Sequence, residues 1–257
     1  MIFGFHLNVP VIYLDLSDTL EAHHQLRFLL SCTAVFTSLL FMKNKNPKPL
    51  LLNFAIVSMI VCQKYLSLVS VAQAVYCLVA LKFCIERSRD TLFESIILIC
   101  FLLHNEANVI CIFLQVCILK LLSFSKISCD NETRAVIFCI VAKCSFFYLG
   151  NSNALSTIDV GAGYMGLTQY YAGAVIVLMA VHTYAGPLIT FAYALQTIRR
   201  DLLLKVYFTQ IWLDLLVFCV LCIGLRYHIF VWTVFSPKLL YFGMELIVMI
   251  SFLIIYH

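Results

Sequence analysis

Charge is what this sequence has least of. Asp, Glu, Lys and Arg make up 12% of its 257 residues, about half the ~25% of a soluble globular domain. With 63% hydrophobic residues and a mean hydropathy of +0.99, the shortage excludes a water-soluble fold, and no nucleic-acid partner is expected. The N-terminal residues do not read as a secretory leader either. Residues 1–14 are apolar but have no basic n-region and are broken by His6, Asn8 and Pro10, and Asp15, Asp18 and Glu21 follow where a small-residue cleavage site would stand. H-E-x-x-H, G-x-S-x-G and any clustered Asp/His set in a polar domain are also lacking, which removes the common hydrolytic and metal chemistries.

What the chain has is apolar runs approaching the ~20 residues that span a bilayer. The expected fold is all-α: a polytopic transmembrane helical bundle of about nine helices with its N-terminus on the lumenal, non-cytoplasmic side. The predicted helices cover residues 26–42, 50–62, 65–81, 92–103, 109–122, 135–149, 172–194, 202–225 and 239–256. Residues 1–24 read as an N-terminal arm or the remnant of an upstream helix, and 25–257 as one multi-pass membrane domain. Most of the twelve cysteines fall inside apolar runs, where Cys acts as a small buried hydrophobe. Cys219 and Cys222 spell C-x-x-C within a predicted span, without the βαβ context of a redox site.

Charge placement tests this topology. Twelve basic residues (Lys43, Lys45, Lys48, Lys82, Arg87, Arg89, Lys120, Lys126, Arg134, Arg199, Arg200 and Lys205) fall in connections that should share one side. The opposite connections hold three, Lys64, Arg226 and Lys238. The positive-inside rule makes the first set cytoplasmic. The loop 150–170, the turn 104–108 and the segment 226–238 then face the other way. Asn131-Glu132-Thr133 is a glycan acceptor by pattern, but it falls on the cytoplasmic side and is expected to stay unmodified.

The loop 150–170, GNSNALSTIDVGAGYMGLTQY, is rich in Gly, Asn, Ser and Thr and contains no Lys or Arg. A polar connection this long is expected to be folded and functional. Its Gly161-x-Gly163-x-x-Gly166 lacks the flanking strand, and no acid follows about 20 residues on, so a dinucleotide site is excluded. Asn151, Asn153 and Asp159 suit either self-capping of turns or a hydroxyl-rich or amine-bearing headgroup. His104 and Asn105 form a polar turn on the same face, open to the same two readings. Arg226, His228 and Lys238 flank the aromatic stretch 229–235, an expected interfacial segment that either anchors the chain or holds a phosphate. Lys143, His182, Asp214 and Glu245 lie within apolar runs, where ionisable groups are functional suspects; Lys143 and Asp214 could pair internally. No catalytic residue and no metal ligand is assigned.

Three stretches together carry a family resemblance: FFYLGNSNALSTIDVGAGYMGL (146–167), TYAGP (183–187) and LRYHIFVWTVFSPKLLYFGM (225–244). In that order they resemble the C-terminal membrane domain of the GPI ethanolamine phosphate transferase 2 family. The resemblance implies a multi-pass endoplasmic reticulum protein of GPI-anchor biosynthesis. The family moves ethanolamine phosphate from phosphatidylethanolamine to the second mannose of the GPI precursor. Its chemistry sits in a lumenal, alkaline-phosphatase-like domain that binds metal, expected to be zinc, and a small multi-pass subunit accompanies the membrane part. That catalytic domain precedes the membrane helices in the family, and this chain starts after it, so no cofactor is expected here and no catalytic residue carries over. A fragment, a split subunit or an inactive scaffold remain open, as does the alternative of a multi-pass lipid or small-solute transporter.

Overall fold

The computed structural model describes residues 26–37, 47–66, 68–86, 88–124, 130–152, 155–227 and 231–255. The N-terminal arm, Asn153 and His228 lie outside them. Ten α-helices follow one another among the described residues: α1 (Leu26–Thr37), α2 (Pro47–Leu66), α3 (Val69–Ile85), α4 (Arg89–Leu103), α5 (Glu106–Phe124), α6 (Asn131–Tyr148), α7 (Ala172–Thr183), α8 (Ala185–Thr197), α9 (Arg200–Gly224) and α10 (Val231–Ile255). The all-helical, membrane-type reading holds. By length and apolarity two helices, α5 and α9, can cross a membrane, and the bent pair α7 and α8 makes a third. Several others are shorter: at ~1.5 Å per residue the fifteen residues of α4 reach only ~22 Å, less than the ~30 Å apolar slab.

Two of the shorter helices, α4 and α8, are the most buried. α8 is covered along nearly its whole length and packs against α4, α5, α6 and α9. At Gly186 it lies against α6 so closely that an added Cβ would stand 2.5 Å from Ser145 Oγ and 3.0 Å from the Ser145 backbone. Phe93 and Phe138 close on Tyr193 of α8, with ring centroids at 5.4 and 6.0 Å. Buried among α2, α3 and α4 is a polar knot. Lys82 Nζ donates to Glu94 Oε2 at 2.6 Å and to Asn53 Oδ1 at 2.5 Å, and Asn53 Nδ2 donates to Glu94 at 3.1 Å. Each member takes part in at least two bonds, which is the condition for keeping an ion pair in an apolar interior.

The sequence predicts one helix over 172–194, and here the structure differs. α7 and α8 meet at an angle of 74°. Pro187 is the cause: it has no N–H to give the carbonyl four residues back, that of Thr183, and its ring crowds that carbonyl. Asn151 supplies the missing donor, its Nδ2 standing 3.0 Å from Thr183 O. The GNSN and TYAGP motifs are therefore joined by one hydrogen bond across 32 residues of sequence.

The segment 226–238 also differs from expectation. A turn closes at Tyr227, and Val231 already begins α10, eight residues before the expected start at 239, so Ser236, Pro237 and Lys238 are helical. Several cysteines inside apolar runs, among them Cys62, Cys77 and Cys219, lie on the outer surface of the bundle. An apolar run that faces lipid needs no burial within the protein.

Candidate functional site

Three of the turns that the charge pattern put on one face, those near Lys64, His104 and Leu149, meet at one end of the bundle. Lys64, closing α2, donates to the His104 carbonyl at 2.5 Å, and Asn108 at the start of α5 donates to Leu149 O at 3.2 Å. At the opposite end Arg89 donates to Leu195 O at 3.0 Å, and Gln196 returns a bond to Arg89 O at 3.2 Å.

The 150–170 loop folds down onto the first end. α6 stops with Gly150 at φ +91°, a left-handed turn that a side chain resists. Two short 3₁₀ turns follow, Leu155–Thr157 and Gly161–Tyr164. Gln73 then pins Gly166 O at 2.9 Å and Tyr76 pins Met165 O at 3.1 Å, both from α3. The glycine run is thus a turn seated on a helix, without the strand of a nucleotide fold.

Beneath it lies a chamber of about 660 Å³ whose wall includes Arg27, Gln63, Lys64, His104, Asn105, Glu106, Tyr164 and Gly166. His104 and Asn105, singled out from sequence, line it. His182 flanks it, its ring stacked on that of His104 at 4.1 Å and 18°. His182 therefore sits at the bundle end, beside the chamber. His104 Nδ1 stands 3.0 Å from Cys100 O; with its proton there, Nε2 is an acceptor. Burial first, and the neighbouring His182 second, push the His104 pKa down to about 3, so the ring is neutral.

Two acceptor atoms on this wall lack a hydrogen bond among the described residues. One is Gln63 Oε1; the other is His104 Nε2, which faces the His182 backbone without a well-formed bond. Gln63 and His104 are 6% and 2% exposed, and buried acceptors at that level are normally satisfied. In the sequence both stand only as polar residues at helix ends, Gln63 between the runs 50–62 and 65–81.

The other candidates go elsewhere. Asn151 is buried and holds the Thr183 carbonyl. Asp159 is exposed and accepts from Gly161 N at 2.9 Å. Arg226 is exposed and lies over the ring of its neighbour Tyr227, 4.5 Å from the centroid. Lys143 and Asp214 form an ion pair between α6 and α9, and Tyr207 donates to Glu245 at 2.7 Å. Lys238 joins these residues at a second, smaller cavity. Among the described residues no three His, Cys, Asp or Glu side chains gather that could hold a metal.

The family model for the GPI ethanolamine phosphate transferase membrane region matches residues 5–255. The chain belongs to this family. Among curated relatives, GPI ethanolamine phosphate transferase 2 of Schizosaccharomyces pombe is 38% identical over 114 residues, covering 44% of this chain and 15% of the relative. The catalytic subunit of GPI ethanolamine phosphate transferase 2 of Homo sapiens is 35% identical over 111 residues, covering 40% and 11%. The Debaryomyces hansenii enzyme of the same name is 30% identical over 191 residues, covering 58% and 21%. The chain thus spans a fifth or less of the length of most curated relatives it matches. No solved structure matches it.

Proposed function

We propose that this chain is the lipid- and glycan-handling membrane part of a GPI ethanolamine phosphate transferase, in the endoplasmic reticulum membrane with the chamber facing the lumen. In that role it presents the GPI precursor to a lumenal catalytic domain, which transfers ethanolamine phosphate from phosphatidylethanolamine to the second mannose. The chamber takes part of the acceptor glycan, and the outer face of α9, with Trp212, Leu213 and Leu216 exposed, meets lipid or a small multi-pass subunit.

One observation carries the reading: Gln63 and His104, both buried, line the chamber, and Gln63 Oε1 is an acceptor without a hydrogen bond among the described residues. Acceptors ask for donors, and sugar hydroxyls supply several from one ligand. Lys64, already engaged with the His104 carbonyl, shapes the turn. The test replaces the membrane region of the Schizosaccharomyces pombe relative with this chain and measures ethanolamine phosphate on the second mannose in cells. Gln63→Leu and His104→Phe should each lower it about tenfold, the worth of ~1.4 kcal/mol, while the protein level holds. Unchanged modification in both variants would sink the assignment.

A further inference from the structure

The height of the bundle is set by α4 and α8. α4 runs from Arg89 to Leu103, α8 returns from Ala185 to Thr197, and the two pack against each other and are tied at both ends. At one end Arg89 donates to Leu195 O; at the other the ring of His104, which caps α4, stacks on that of His182. Between these ties stand the fifteen residues of α4, ~22 Å at ~1.5 Å each. Arg89, Asp90, Arg199 and Arg200 mark the polar boundary at the far end. The chamber end therefore stops ~8 Å short of the opposite face of a ~30 Å apolar slab.

Together α7 and α8 have the apolar length of one span, but α7 leaves the course of α8 by 74°. Along the α8 direction its twelve residues rise only ~5 Å, against ~18 Å for an upright helix. The bend is less than a right angle, so the start of α7 is its end farther from Arg89. The helix thus crosses the chamber end of the bundle ~3–8 Å beneath the slab surface, close to the ~5–10 Å at which interfacial helices seat their apolar faces.

The surroundings of α7 fit that depth. One face is roofed by the loop: a Cβ on Gly163 would stand 2.7 Å from Met179 Cγ and 3.0 Å from Val175 Cγ1, an approach that favours glycine. The other face is open. Ile176 and Val177 are 57% and 60% exposed, and a Cβ on Gly173 would meet nothing within 4 Å. Residues 160–181 contain no Asp, Glu, Lys, Arg or His, so the open face offers apolar surface alone and nothing to a charged partner. Just ahead of the helix Tyr164, Tyr170 and Tyr171 are exposed, and tyrosines collect where an apolar face enters lipid.

We propose that α7 lies in the plane of the bilayer, within the leaflet on the chamber side, with Ile176 and Val177 against acyl chains and the 160–166 turn above it at headgroup level. The placement rests on the reading of the chain as a membrane domain and not on what the chamber holds. α7 then fills the shortfall left by α4 and α8, and it keeps the chamber floor below the headgroups, within reach of a ligand that stays anchored in the leaflet.

The test uses the full chain in liposomes of phosphatidylcholine brominated at successive acyl positions, with tryptophan quenching as the depth gauge. In a Trp212→Phe, Trp232→Phe background, Gly173→Trp, Ile176→Trp and Val177→Trp report α7, while Leu216→Trp and Val220→Trp report the exposed face of α9. Bromine near the headgroups should quench all three α7 positions most strongly, and their depths should agree within ~2 Å, whereas the α9 pair should differ by ~6 Å. Depths that step by ~1.5 Å per residue along α7 overturn the proposal, because the helix then stands upright. Quenching by aqueous iodide in place of bromine makes the face water-exposed and overturns it as well. Quenching by neither assigns the face to a protein contact and overturns lipid as its occupant. Unfolding midpoints report the state of each variant; if Gly173→Trp does not fold, Ala180→Trp replaces it against Ile176→Trp, one turn away on the same face.

Discussion

Asn151→Ala is the sharpest single perturbation the fold offers, because its effect should depend on a residue 36 positions away in sequence. The substitution removes the donor at 3.0 Å from Thr183 O and leaves a buried carbonyl that Pro187 cannot serve. An unmet buried group costs ~1–3 kcal/mol, which at ~2–4 °C per kcal/mol for a chain of this size is a drop of a few to about ten degrees. Pro187→Ala restores a backbone N–H four residues after Thr183, so the helix can satisfy its own carbonyl. In that background Asn151→Ala should cost about 1 kcal/mol less. The assay is intrinsic-fluorescence unfolding of the four proteins of the cycle in one detergent. If Asn151→Ala costs the same with proline or alanine at 187, the bond is not what compensates the break, and the account of the α7–α8 bend is wrong.

Three other outcomes follow from geometry. His104 is held near pKa 3 in the folded protein against an ordinary 6.5. The unfolded chain therefore binds the extra proton first, and stability is lost as pH falls below 6.5; about 2 kcal/mol is gone by pH 5, and His104→Gln should flatten melting curves taken between pH 7.5 and 5. Lys82→Met strands the buried Glu94 carboxylate and should cost ~3–5 kcal/mol, whereas Lys82→Met with Glu94→Leu should recover most of it, measured by chemical denaturation. Leu155→Asn, which completes an acceptor with Ser156 and Thr157 at an exposed site, should gain an endoglycosidase-sensitive glycan in microsomes while Asn131 stays bare. A glycan at Asn131 would refute the proposed orientation.

Much of this was legible in the residues. Apolar runs locate the helices because each element needs enough length to bury its backbone, and the boundaries of α4, α5 and α6 lie close to the runs 92–103, 109–122 and 135–149. The clustering of turns 64, 104–108 and 150–166 at one end follows from alternation of direction alone. What escaped was the break at Tyr184, since 172–194 is apolar without interruption and Pro187 reads equally as a tolerated kink. The chamber escaped for another reason: Gln63 and Tyr164 are 101 residues apart, and nothing local marks them as neighbours. Asn151 carries the same lesson, for its polarity suggested an outward task while its amide faces a carbonyl that only the fold brings near.

The bend deserves one more consequence. His182, Thr183 and Tyr184 are consecutive, yet they answer to three different neighbourhoods: His182 to the chamber through His104, Thr183 to the loop through Asn151, Tyr184 to the second cavity through a 2.8 Å bond to Tyr241 O. Three residues of chain thus act as a junction box at which wiring from the chamber, the loop and the second cavity terminates. A scan of single substitutions across 182–184 would therefore return composite phenotypes.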